Sequence, residues 1–190
     1  MGRIKQSQIT YWCHEIIRSQ AEAGGCYIDA TMGKGNDTLF LCELAGENGK
    51  VLAFDIQQEA LDVTKELLKT HGKEMQAELI LDGHEHMDRY AGKESADVIC
   101  FNFGYLPGGN HSISTKTKTS LEAIEKGLTL LKHGGMMSLC IYSGGDTGFE
   151  EKDAILQYIK EINPKEYTVI VNEYYNRENN PPIPAFIFKR

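Results

Sequence analysis

No run of eighteen apolar residues occurs in this chain of 190 residues, so the sequence holds no candidate for a membrane-spanning helix. Its start, Met1-Gly2-Arg3-Ile4-Lys5-Gln6, lacks the apolar stretch of a secretory signal. No two cysteines are spaced Cys-x-x-Cys, and their number is odd: Cys13, Cys26, Cys42, Cys100 and Cys140. Scattered in this way they form neither a disulfide framework nor a zinc site. They read as reduced, mostly buried thiols of a cytoplasmic protein. An excess of basic charge is missing too. The net charge of −7 excludes nucleic-acid binding through overall charge and leaves only a local basic patch. There is no internal repeat, linker or low-complexity segment, so residues 1–190 read as one domain with a full-sized core.

The stretch from Cys26 to Thr38 organises the rest, and here too an absence is informative. The apolar run Cys26-Tyr27-Ile28 ends in Asp29, followed by Gly33 and Gly35 and then a helix that Asn36, Asp37 or Thr38 could cap. A first strand turns into a first helix in this way when a nucleotide-like ligand sits against the turn. Glycine lets the backbone take φ > 0 and approach the ligand closely. A phosphate loop would continue Gly-Lys-Ser/Thr, but Gly33-Lys34-Gly35 is followed by Asn36-Asp37. A dinucleotide site would place a third glycine where Thr38 stands. What remains is an acid, three residues, Gly, one residue, Gly. It resembles the first motif of the class I S-adenosylmethionine (SAM) methyltransferases, whose ligand carries no phosphate.

The remaining chain alternates strands with amphipathic helices. Residues 7–23 read as a lid helix packed on the sheet edge, with Trp12 and His14 its candidates for touching a substrate. Val51–Asp55 is a second strand ending in an acid, twenty residues past Gly35, placed to accept from both hydroxyls of a ribose, with Gln57 in support. Residues 59–71 are a helix. Residues 77–81 are a third strand, followed by Asp82-Gly83-His84, where a carboxylate could meet an adenine amine. His84 and His86 beside Asp82 and Asp88 match no zinc spacing, so no metal is expected. Residues 96–101 are a fourth strand that runs into Asn102-Phe103-Gly104-Tyr105-Leu106-Pro107-Gly108-Gly109.

From Val98 to Leu121 there is no acid, in a chain with 27 of them, while Lys116 and Lys118 lie there. That is a local electropositive stretch able to meet a phosphate backbone. A helix over 120–131 follows, then a fifth strand over 136–142. Ser143–Gly148 reads as a loop able to close over the site, and a last helix covers 150–162. Strands over 167–173 and 185–188 form an antiparallel pair. The expected fold is α/β: a single-domain class I methyltransferase (Rossmann-like) fold. Its seven-stranded sheet is mostly parallel with one antiparallel strand, and helices cover both faces.

Taken together, the stretch from Tyr27 to Thr38, Asp82-Gly83-His84, the loop from Asn102 to Gly109, and Asn179-Asn180-Pro181-Pro182 resemble the small stand-alone bacterial methyltransferases labelled rRNA-methylase-like. The resemblance covers nearly the whole chain. It implies SAM as cofactor and an RNA partner, tRNA first. The implied reaction is the last methylation of the wobble uridine, turning 5-aminomethyl-2-thiouridine into its 5-methylaminomethyl form. It also implies roles. Asp29, Thr31, Gly33, Gly35, Asn36, Asp37 and Thr38 would hold the methionine part, Asp55 and Gln57 the ribose, and Asp82, Gly83 and His84 the adenine.

Asn102 and Tyr105 would face the acceptor amine, standing where the first and last residues of an Asn/Asp/Ser-Pro-Pro-Tyr/Phe motif stand in amine-directed class I enzymes. Phe103-Gly104 replaces the two prolines, so the match is partial. Pro107, His111, Lys116 and Lys118 complete the expected substrate side, and water is expected to take the amine's proton. An rRNA base methyltransferase, a small-molecule amine methyltransferase and a non-catalytic SAM-binding protein share most of these residues. A homodimer is compatible with all of them.

Overall fold

The computed structural model describes residues 8–104, 115–143 and 145–190, and the side chains of all of these except 145–147. Helices and strands alternate up to a final pair of strands: α1 (Ile9–Gln20), β1 (Cys26–Asp29), α2 (Asn36–Ala45), β2 (Lys50–Asp55), α3 (Gln58–Thr70), β3 (Ala77–Leu81), a 3₁₀ turn (His84–Arg89), β4 (Ala96–Phe103), α4 (Thr117–Leu130), β5 (Leu131–Ile141), α5 (Gly145–Lys160), β6 (Tyr167–Val171) and β7 (Ile183–Lys189). The seven strands form one sheet in the order β3-β2-β1-β4-β5-β7-β6. The first five run parallel, and β7 lies antiparallel between β5 and β6. The expected sheet, with its single antiparallel strand, is the observed one.

Alternation along β4 shows how the layers form. Val98 and Cys100 point to one face with the buried side chains of α1, α2 and α3. Ile99, Phe101 and Phe103 point to the other, against Ala123, Ile124 and Leu128 of α4 and Ile155 and Ile159 of α5. By the same period of two, Asn102 falls on the α1 and α2 side. The chain runs β1, β2, β3 to one side of β1, then restarts with β4 on the other. The crevice at the C-terminal ends of β1 and β4 is the switch point where ligands bind in such sheets.

Several boundaries differ from the sequence reading, each for a physical reason. Helix α1 lies across the sheet rather than at its edge. Its Cys13 and Ile17 are buried with Met136, Cys140 and Phe186, because β7 and β6 extend the sheet past β5 and leave β5 interior. Helix α2 takes no side-chain cap from Asn36, Asp37 or Thr38. Its N-cap is Gly35 in the left-handed conformation, φ 79°. Helix α4 ends without a glycine: Leu131 is already extended and begins β5, which starts five residues before Met136 and absorbs a register shift opposite Ala96–Val98. Strand β4 continues through Phe103, so Asn102 is a strand residue. Helix α5 begins at Gly145, inside the segment read as a closing loop. Of that segment, Gly144 is outside the described residues.

Candidate functional site

Two glycines set the turn after β1. Gly33 and Gly35 both have positive φ, 53° and 79°. A β-carbon on Gly35 would lie 2.6 Å from the hydroxyl of Thr64, a fully buried residue of α3. The Gly33 N–H donates to Asp55 Oδ2 at 3.0 Å, and Gln57 N–H donates to Asp55 Oδ1 at 2.9 Å. The acid at the end of β2 thus braces the glycine turn and its own loop at once. Both oxygens keep lone pairs for a ligand.

Behind the turn lies Asp29, fully buried. Its carboxyl accepts from Thr38 Oγ1 at 2.6 Å and from the Thr31 N–H at 3.2 Å. Burial, with the charge of Asp37 nearby, pushes it up to about 7. Asp29, Thr38 and Gly35 do not line the cavity in front of them; they shape its wall. That cavity encloses about 930 Å³ and is bordered by the loops following β1 to β5 and by the β6–β7 loop.

Its first half suits a nucleoside. Asp55, Gln57, Asp82, Gly83 and His84 all line it, as expected. Beside them stands Ile56, 61% exposed, a large apolar side chain left open to the cavity. Sequence reasoning passed it over, although an apolar residue directly after a strand-end acid was the available signal. His84 packs edge-on against Phe101 and Phe103, with centroids 6.0 and 6.3 Å apart, and its Nε2 is buried without a partner. Burial lowers its pKa, so the ring stays neutral. An orphaned polar nitrogen beside apolar walls is what a flat heteroaromatic ring with polar edges would satisfy.

Asp82 is less free than expected. Its carboxylate already accepts from His86 Nδ1 at 2.6 Å, from its neighbour's Gly83 N–H at 2.8 Å and from Tyr90 at 3.1 Å. The His86 contact above all holds it below the usual carboxylate range. Asp82 and His86, two of the four groups weighed against a zinc spacing, thus bond to each other. Among the described residues no cluster of three or more metal-binding side chains is present.

The second half of the cavity centres on Asn102. Its backbone N–H donates to Thr31 Oγ1, and its side-chain amide donates to Asp37 Oδ2, each at 2.7 Å. Asp37 in turn meets His14 Nε2 of α1 at 2.7 Å. His14 lies flat on Phe40, centroids 3.8 Å apart. Thus α1 reaches the cavity through Thr10 and braces Asp37 through His14, while Trp12 is 50% exposed and does not line the cavity. Tyr142, Ser143, Asn179 and Asn180 close this end. Asn179 and Asn180 both have positive φ, 66° and 49°, a conformation rare for two successive non-glycine residues.

Tyr105, Pro107 and His111 lie outside the described residues. The chain on either side of them is fastened: Thr115 N–H donates to the Gly104 carbonyl at 3.0 Å, and the Gly104 N–H donates to Thr115 Oγ1 at 2.9 Å. Thr115 Oγ1 and Ser120 Oγ donate to the buried Glu151 of α5 at 2.8 and 2.6 Å. Lys116 lines the cavity; Lys118 is exposed outside it.

Comparison with known proteins places this geometry in a lineage. Residues 51–188 match the family described as "Putative rRNA methylase". The chloroplastic tRNA (mnm(5)s(2)U34)-methyltransferase of Arabidopsis thaliana is 33% identical, over all of this chain and 71% of its own length. A Clostridium thermocellum protein described as a "putative rRNA-methylase" superposes with a TM-score of 0.94 at 41% identity, covering 97% of this chain and 98% of its own. SMU.1697c of Streptococcus mutans, described as "a putative methyltransferase" and solved in complex with SAH, gives 0.87 at 36% identity, covering 97% and 99%. The chain belongs to the rRNA methylase family so described, and its fold is that of the class I methyltransferases.

Proposed function

We propose that this methyltransferase uses SAM to methylate the exocyclic amine of 5-aminomethyl-2-thiouridine at the wobble position of tRNA, with residues 1–190 working as one domain in the cytoplasm. The observation that supports this most directly is the division of the cavity. One half offers a carboxylate, an exposed isoleucine and an orphaned imidazole nitrogen to a nucleoside, and the other places the Asp37 carboxylate beside the Asn102 amide. The Arabidopsis relative's name supplies the nucleotide, and the S. mutans neighbour's bound SAH supports the cofactor.

In this reading Asp55 accepts from the ribose, with Gln57 beside it. Ile56 and His84 border the adenine, and Asp82 and Gly83 shape its edge. Thr31, Gly33, Lys34 and Asn36 border the methionine end. SAM supplies an electrophilic methyl on a sulfonium, so the protein's task is alignment of a lone pair at near-attack distance. The wall residues Asp29, Gly35 and Thr38 act by holding that turn. Among the described residues no helix is long and apolar enough to cross a membrane.

The test is mass spectrometry of nucleosides from tRNA of a deletion strain and its parent, with purified protein and SAM added back in vitro. Accumulation of 5-aminomethyl-2-thiouridine in the deletion, and its conversion in vitro, is expected. An unchanged wobble nucleoside overturns the substrate. For the cofactor site, Asp55→Ala removes a charged acceptor worth about 1.5–3 kcal/mol, so calorimetry should show SAM binding weakened at least tenfold. An unchanged dissociation constant removes Asp55 from the site.

A further inference from the structure

We infer that Asp37, clamped between His14 and Asn102, is the group that receives the acceptor amine and takes its proton before methyl transfer. The inference rests on the amine-methylating reading above and changes it at one point, since water was expected to take that proton and Asp37 to hold the methionine part.

The orientation of Asn102 follows from chemistry. A carboxylate can only accept, so the amide NH₂ must be the end facing Asp37 Oδ2 at 2.7 Å. The amide oxygen then faces the other way. Among the described residues nothing else holds that oxygen. The cavity therefore meets two kinds of acceptor side by side, the Asn102 carbonyl and the remaining lone pairs of Asp37. The group that satisfies such a pair is a primary ammonium, which carries three N–H donors and a positive charge.

The clamp keeps the carboxylate ionised and ready. Burial alone pushes Asp37 up, but the hydrogen bond and charge of His14, with the Asn102 amide, hold it below its usual range. Asp29, at the end of β1, is a nearby acid of the described residues; burial raises it to about 7, and it lies behind the wall rather than in the cavity. From β4, burial pushes the Cys100 thiol up. At the end of β5, hydrogen bonding to Cys13 of α1 pushes the Cys140 thiol up, and burial does the same for the Tyr142 phenol just beyond. Asp37 is thus the anionic acceptor that borders both the cavity and Asn102.

The step balances. An N–H bond of the ammonium breaks, the proton passes to Asp37, and the electron pair stays on nitrogen. That lone pair forms the new N–C bond as the sulfonium C–S bond breaks, its electrons going to sulfur. The product leaves as a secondary ammonium, and Asp37 returns one proton to solvent. Excluding water from the cavity disfavours both charged forms, which raises the acid's pKa and lowers the amine's, so the gap for the transfer narrows. His14 and Asn102 are positioning residues for Asp37.

The experiment has a binding arm and a kinetic arm. In the first, SAH-loaded protein is titrated with 5-aminomethyluridine and with 5-methyluridine, which lacks the amine. Wild-type protein should prefer the amine at least tenfold, and Asp37→Asn should lose that preference. No preference in the wild type overturns the inference, whatever the protein does to tRNA. A preference without methylation of tRNA overturns the substrate reading instead.

In the second arm, tRNA turnover at saturating SAM is followed from pH 6.5 to 9.5. Asp37→Asn should lose about a hundredfold in kcat at pH 7. It should regain roughly tenfold per pH unit as free amine becomes available below the usual amine pKa of about 10, with SAM affinity within about threefold of wild type. His14→Ala should show a milder version of the same pH dependence, while His14→Gln, which can still donate to Asp37, should keep most of the rate. A loss that saturating SAM restores, a loss that does not recover at high pH, or no loss at all each overturns the role of Asp37.

Discussion

Replacing Asp29 by asparagine isolates one ionisation in the folding equilibrium. In the native protein this carboxyl is fully buried and raised to about 7 from its ordinary 3.8, by burial first and by the charge of Asp37 second. In the unfolded chain it ionises at its ordinary value. Between those two pH values the native state holds a proton that the unfolded state has released. Stability from this group is therefore complete below pH 3.8 and is lost as pH rises through about 7. Each pH unit of the window is worth about 1.4 kcal/mol, so the whole shift corresponds to about 4 kcal/mol. Asparagine carries no such proton. Whatever Asp29→Asn costs by weakening the contacts to Thr38 and Thr31, that cost does not vary with pH. Urea unfolding of both proteins from pH 5 to 8 should show the wild type losing about 2–3 kcal/mol relative to the variant, with the difference flattening above pH 8. An added Asp37→Asn change should shrink the effect by removing the neighbouring charge. A stability difference constant across this range would refute the argument, because it would mean that Asp29 is ionised in the native state throughout.

Gly35→Ala should destabilise the fold by about 2–4 kcal/mol, combining the left-handed backbone penalty of about 1–2 kcal/mol with the clash against Thr64. In thermal melts, adding Thr64→Ala should recover only the steric part, and full recovery would show that φ at this position carries no cost. Glu151→Ala should leave the Thr115 and Ser120 hydroxyls without their shared acceptor and cost about 2–3 kcal/mol. If that contact anchors the acceptor side, kcat should fall while SAM affinity holds, and equal loss of both would place Glu151 outside it. Lys116→Glu with Lys118→Glu should raise KM for tRNA and reduce its salt dependence, as measured by turnover at two ionic strengths. Lys116 alone should carry more of the effect than Lys118, because only Lys116 borders the cavity. Equal tRNA kinetics in the double variant at low salt would remove this stretch from the RNA surface.

The sequence by itself determined the elements whose signals are local. Short continuous apolar runs ending in Asp29 and Asp55 marked strands, because strands of a parallel sheet are buried on both faces. Glycines at 33 and 35 marked the turn, because only glycine takes those backbone angles at little cost. The half of the cavity proposed for the cofactor was legible for the same reason: its residues follow their strands directly, and the parallel strands end at one edge of the sheet. Tertiary structure alone decided the half proposed for the acceptor. His14, Asp37 and Asn102 are separated by 23 and 65 residues, and no spacing rule links them. They meet because β7 and β6 continue the sheet past β5, which leaves a sheet face, rather than the expected edge, for α1 to pack on. Helix α1 then lies across that face, with His14 over the first turn of α2. Packing likewise settled that Thr38 and Asp29 bond to each other behind the wall, and that Asp82 is already engaged by His86. A sequence shows which side chains can carry charge or hydrogen bonds; burial and neighbours decide which of them remain available to a ligand.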